Sequence, residues 1–172
     1  PKTPRRQRQM CIRDSADGVR LHPVCSPRYI EEVIEPAIAP HRQPDFEVCL
    51  KPLIATAATP EVLAERTRIA RQRLAFYMST PAYRGAFAIY GLQDLCAEMS
   101  EHSKAQRWDD LEACVDDDIL HMCVVVALYE DLAATIKERY GTLLQRIEVG
   151  LPINDAKDQE ILSDVIRELR AA

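Results

Sequence analysis

Residues 46–77, FEVCLKPLIATAATPEVLAERTRIARQRLAFY, place one strand and one long helix in direct succession. Phe46, Val48 and Leu50 alternate with Glu47 and Cys49, the two-residue period of a strand. The apolar run continues to Ala58, and Pro52 within it predicts a bulge or an early end, because proline cannot donate to a ladder. Thr59 and Pro60 then supply a cap and a first helical position. Val62, Ile69 and Phe76 recur seven apart, as do Leu63, Ala70 and Tyr77. That spacing predicts a long amphipathic helix, with Arg66, Arg68, Arg71 and Arg73 on its solvated side.

The same strand-then-helix grammar appears on either side. Upstream, residues 17–23 alternate Val19 and Leu21 against Arg20 and His22 until Pro23 ends the strand. Ser26 and Pro27 start a helix whose stripe is Ile30, Val33, Ile34, Ala37 and Ile38, with a kink or shortening expected at Pro36. Downstream, residues 78–81 break the long helix, and a short helix over residues 82–90 ends at Gly91. Residues 92–123 read as helical pieces. The apolar run CVVVALY (123–129) leads into a helix with Leu132, Ala133, Ile136 and Tyr140, closed by Gly141. RIEVGLP (146–152) is the third clear strand, and Ile161, Leu162, Val165, Ile166 and Leu169 mark a final helix.

About three strand–helix units with a helical insertion thus follow one another, which implies an α/β fold with parallel strands. Three units are too few to close an eight-stranded barrel, and on pattern alone a doubly wound sheet also fits. The 172 residues, 47% hydrophobic and 28% charged, suffice for one domain with a core. A formal net charge of -5 gives no global basic field for nucleic acid, and no apolar run reaches the length of a membrane span. The six cysteines form no C-x-x-C pair, so reduced thiols and a cytoplasmic location are expected. Residues 1–15, PKTPRRQRQMCIRDS, show neither period and read as an adapter-derived or disordered basic segment. They are set apart from the domain, 16–172, which is read as truncated at its N-terminus.

The segment LAFYMSTPAYR (Leu74–Arg84) resembles one recurring in the luciferase-like monooxygenase superfamily, in its deazaflavin-dependent branch. There a helix ends in an aromatic pair followed by a Ser-Thr-Pro-x-Tyr turn. Ala16-Asp17-Gly18-Val19 with His22-Pro23 is similar to a late barrel strand of that family. Residues 117–126, the helix ending at Tyr140-Gly141, and RIEVGLP resemble its closing helix and final strand. The resemblance implies the C-terminal part of a TIM (β/α)8 barrel. The whole protein would then be an oxidoreductase, moving a hydride with coenzyme F-420 (a deazaflavin) or FMN, and a monooxygenase in some relatives. It implies a small-molecule substrate and a homo-oligomer, with neither nucleic acid nor membrane as partner. Two departures stand out: the Gly-rich loop expected just before Ala16 is missing, and no Gly-Thr-Pro turn occurs near Ala127-Leu128-Tyr129. A non-catalytic α/β interaction module sharing only the fold is the alternative.

Barrel chemistry sits at strand C-terminal ends. His22, at such an end, is suited to hydrogen-bond a cofactor or move a proton, or simply to satisfy a loop carbonyl. Tyr83 and Arg84 follow the long helix, and a guanidinium fork suits a phosphate or acidic group. His22, Tyr83 and Arg84 are therefore the expected pocket residues, with no catalytic acid or base assigned. Ser79 or Thr80 reads as a cap for the next helix, with Pro81 at its first position. Asp116-Asp117-Asp118 with His121 reads as a helix start at Asp118 rather than a metal site, since consecutive helical carboxylates diverge. Trp108 is expected as a hydrophobic anchor.

Overall fold

The computed structural model describes residues 17–151, 153 and 155–171. The reading of residues 1–15 as a non-native or disordered segment lies outside the described residues. Strand β1 (Gly18–Leu21) is followed by helix α1 (27–38), then β2 (Glu47–Leu50) and β3 (Leu53–Ala57). The long helix α2 (Pro60–Ser79) leads through a 3-10 turn (Pro81–Tyr83) into α3 (Arg84–Ala88). Helices α4 (Gln93–Lys104), α5 (Trp108–Ala113) and α6 (Asp117–Cys123) form the excursion. Strand β4 (Val124–Leu128), helix α7 (Leu132–Tyr140), strand β5 (Arg146–Ile147) and helix α8 (Ala156–Arg170) complete the order.

All observed strand pairs are parallel. β2 lies between β1 and β5, with Leu21 opposite Leu50 and Leu50 opposite Ile147. The three expected sheet pieces therefore lie side by side in one direction, and no closed ring forms among the described residues. Pro52 has the effect anticipated from its missing N–H: the apolar run breaks into β2 and β3, which take different neighbours. β3 pairs with β4, from Leu53 opposite Val124 to Ala57 opposite Leu128. β4 is a strand the sequence pattern did not separate from the helix after it. Its VVVAL run is buried on both faces, as parallel strands between two layers are. At the start of β1, Gly18 is needed for close approach, since a Cβ there would lie 2.5 Å from the Glu47 carbonyl oxygen.

Alternation along β3 and β4 divides the core into two halves. Leu53, Ala55 and Val124 face one half, packed on Leu74 and Met78 of α2, on Phe87 of α3, and on Met99 and Leu120 of the excursion. Val125 and Ala127 face the other, with Leu21, Val48, Leu50, Ile136 and Tyr140. The final helix adds Val165 to this second half.

The local signals at helix starts hold in detail. Ser26 Oγ accepts from the Tyr29 N–H at 3.2 Å, Thr59 Oγ1 from Val62 at 3.5 Å, and Asp116 Oδ1 from Ile119 at 2.8 Å. In α1 the turn before Pro36 widens to a π-helix over Ile30–Ile34, with the Glu35 N–H reaching the Ile30 carbonyl. This local widening takes up the proline that the sequence predicted would kink or shorten the helix. Gly91 takes φ 72° just after the short helix, the left-handed value that favours glycine.

Four expectations need correction. Val62, Ile69 and Phe76 are about half exposed, at 48%, 50% and 54%, although their spacing marks an apolar stripe. α2 instead buries Ala70, Leu74, Ala75 and Met78, a neighbouring face whose small alanines let it approach β3 closely. Trp108 is 53% exposed, because it opens α5 while Leu111, three residues on, supplies the buried contact. Ser79 and Thr80 do not cap the next turn; both hydroxyls donate back to the Phe76 carbonyl, at 2.8 and 2.9 Å, and close α2. The third strand is also shorter than read: pairing ends at Ile147, with one further bond from the Glu148 N–H to the Leu50 carbonyl at 2.9 Å.

Candidate functional site

Because β1, β2 and β5 run in one direction, the chain leaves all three at the same edge. His22-Pro23 follows β1, Lys51-Pro52 follows β2, and residues 148–151 follow β5. His22 is fixed by the turn it starts. Its carbonyl accepts from the Cys25 N–H at 2.9 Å, and its Nδ1 accepts from the Val24 N–H at 3.4 Å. An accepting Nδ1 leaves the proton of the neutral ring on Nε2. Burial lowers the imidazole below its ordinary pKa, so the neutral form prevails at pH 7.

Two tyrosines from the LAFYMSTPAYR segment enclose this ring. Tyr83, from the 3-10 turn, stacks on His22 with centroids 4.2 Å apart and planes 24° apart. Tyr77, near the end of α2, meets His22 edge-on at 4.9 Å and Tyr83 edge-on at 5.5 Å. Arg73, one turn before Tyr77, donates Nε–H to the Tyr77 hydroxyl at 3.3 Å, and its guanidinium stands 6.0 Å from the ring centroid. The closure of α2 by Ser79 and Thr80, followed by Pro81, turns the chain so that Tyr83 comes back over His22.

Two of the expected pocket residues, His22 and Tyr83, are thus in direct contact, though 61 residues apart in sequence by their numbers. Arg84 is placed differently. It is half-buried, its electrostatic neighbour is Cys96 on α4, and its Nε is buried without a hydrogen-bond partner. Tyr77 and Arg73 were not singled out as pocket residues. The signal that could have found them is their i, i+4 relation on the last turns of a helix that ends beside a strand terminus.

Beside the aromatic cluster a cleft of about 410 Å³ opens between β3, α2 and the segment after β5. Pro23, Lys51, Pro52, Thr56, Arg66, Ile69 and Arg73 are among its walls. Among the described residues no group of three or more His, Cys, Asp or Glu side chains could hold a metal. Asp116 is engaged as a helix cap and Asp117 as the partner of Arg71. The described cysteines are free thiols, and burial pushes Cys25 up to about 11 and Cys123 up to about 12, which keeps both protonated and unreactive. No helix among the described residues is long and apolar enough to cross a membrane.

No protein-family model matches the chain. Uncharacterized proteins of Mycobacterium bovis and Mycobacterium tuberculosis are 32% identical over 168 residues, 94% of this chain and 48% of theirs. The chain therefore spans about half the length of the curated relatives it matches. Among solved structures, the coenzyme F-420-dependent tetrahydromethanopterin reductase of Methanopyrus kandleri superposes with a TM-score of 0.64 at 18% identity. The match covers 89% of this chain and 44% of that enzyme, and at that identity it speaks for the fold. The α/β arrangement of parallel strands and surrounding helices is that of part of this reductase.

Proposed function

We propose that this chain forms one wall of the pocket of a luciferase-like oxidoreductase that uses a deazaflavin, coenzyme F-420, in preference to FMN. The observation that carries the reading is the His22–Tyr83–Tyr77 cluster at the edge where β1, β2 and β5 end. In barrels this edge carries the chemistry, and the fold is shared with an enzyme that uses the deazaflavin. The residues suit such a group: a planar ring system needs aromatic surface and a few fixed donors, and the cluster offers both.

When bound, the deazaflavin or flavin supplies the hydride chemistry. The chain's own residues position and shield. The Tyr83–His22 stack presents a rigid aromatic face that excludes water. The Nε2–H of neutral His22 is a donor for an oxygen of substrate or cofactor, and the lowered pKa prevents a competing positive charge. Tyr77, held by Arg73, buttresses the imidazole edge. A homo-oligomer and a small-molecule substrate belong to the same proposal.

The test is titration of the full-length protein into deazaflavin, read as fluorescence quenching. Saturable quenching that weakens at least tenfold in Tyr83→Leu is expected. Absence of quenching with deazaflavin and of any spectral change with FMN, in a folded protein, would overturn the proposal in favour of an interaction module.

A further inference from the structure

The cleft beside the aromatic cluster has a charge pattern that redox chemistry does not explain. Lys51, Arg66 and Arg73 all line it, and none of its lining residues is acidic. The neighbouring arginines of α2 are paired: Arg68 with Glu65 at 2.8 Å, and Arg71 with Asp117. Lys51 and Arg66, by contrast, have no ion-pair partner among the described residues, and Arg73 gives one N–H to the neutral Tyr77 hydroxyl. Pro52, Leu53 and Ile54 line it as well, so the three cations share the cleft with apolar surface.

The same wall carries a buried hydroxyl that has no surface open to the cleft. Thr56 lines the cleft from β3, is 5% exposed, and its hydroxyl oxygen is buried without a hydrogen-bond partner. Buried polar groups are nearly always paired, and an unmet one costs stability unless something completes it. Its neighbours in β3, Ala55 and Ala57, are apolar.

We infer that this cleft binds the phosphoryl group of a small-molecule substrate. A carboxylate neutralises one cation, whereas a phosphoryl group carries a charge of about -1.5 to -2 near pH 7 and offers three acceptor oxygens. Arg66 and Arg73 are seven residues apart on α2, about 10 Å along the axis. The ligand therefore extends along the cleft, its anionic group among the cations and its body directed toward His22 and Tyr83. The inference rests on the oxidoreductase reading for the word substrate; the anion site itself stands on the cleft.

The experiment is titration calorimetry of the folded full chain with inorganic phosphate, with pyrophosphate and with succinate, in chloride buffer without cofactor. Saturable binding of phosphate, tighter binding of pyrophosphate and weaker binding of succinate are expected. Arg66→Gln and Lys51→Met should each weaken phosphate at least tenfold, and Arg68→Gln not at all, with thermal melts confirming folding. No saturable phosphate binding, succinate binding as tightly as phosphate, or an equal loss in Arg68→Gln overturns the inference. So does loss of phosphate binding in the presence of saturating deazaflavin, which would assign the cations to the cofactor. A failed phosphate titration with intact deazaflavin quenching removes the inference alone and leaves the oxidoreductase proposal standing.

Discussion

Replacing Thr56 by valine is expected to stabilise the ligand-free protein. Threonine and valine have the same branched shape and both suit a strand, so the change exchanges one hydroxyl for one methyl. At this site the hydroxyl oxygen is buried and unpartnered, in a side chain 5% exposed. An unmet buried donor and acceptor costs about 1–3 kcal/mol, and the new methyl adds apolar contact with the β3 face. For a domain of this size, each kcal/mol moves the melting temperature by about 2–4 °C. Thr56→Val should therefore melt at least about 2 °C above the parent in chloride buffer. The assay is thermal unfolding by circular dichroism, repeated with saturating inorganic phosphate. Phosphate should raise the melting temperature of parent and variant alike, because the hydroxyl has no surface open to the anion. A variant that melts below the parent without phosphate would show that the hydroxyl already has a partner, and the reasoning would fail.

Other consequences can be checked on the same material. Leu74→Ala, at a fully buried position, should cost about 2–5 kcal/mol, while Ile69→Ala, half-exposed on the same helix, should cost less than about 0.5 kcal/mol. Comparable losses in urea unfolding would mean the wrong face of α2 has been assigned to the core. His22 has a lowered pKa in the fold, so the unfolded chain takes up the proton first as pH falls. Its contribution to stability is thus complete above the ordinary imidazole pKa and is lost as pH falls through the folded value; the melting temperature should drop more steeply toward pH 5 in the parent than in His22→Gln. Among the described cysteines, half-buried Cys49 and Cys114 should alkylate with iodoacetamide before buried Cys25, Cys96 and Cys123, as read by peptide mass spectrometry. Early labelling of Cys123 would contradict its depth in the core.

Much of the fold was legible because its signals are local. Ser26 and Thr59 cap helices by bonds to N–H groups three residues on, and Pro52 breaks the strand through its own missing donor. Facing was harder to read. On α2 the stripe Val62–Ile69–Phe76 and the face Ala70–Leu74–Met78 lie about 140° apart, and the larger side chains favour the stripe that stays exposed. The choice was made by tertiary contact, where alanines permit close approach to β3. β4 was obscured because VVVAL is apolar on both faces and carries no alternation. For the site, His22 was legible from its place at a strand end, and Tyr83 from its place in the turn. That they stack follows only from the return of the chain after α2, and Tyr77, Arg73 and Thr56 gain meaning only from the neighbours the fold gives them.

That the His22–Tyr83–Tyr77 cluster faces a redox cofactor is the proposal on which the rest depends. It is tested most directly by observing the imidazole resonances of the four histidines in the full-length protein, with His22→Gln giving the assignment, during titration with deazaflavin. The His22 signals should shift saturably, in step with fluorescence quenching, while those of His102 and His121 stay in place. Saturating deazaflavin binding with the His22 signals unmoved would contradict it.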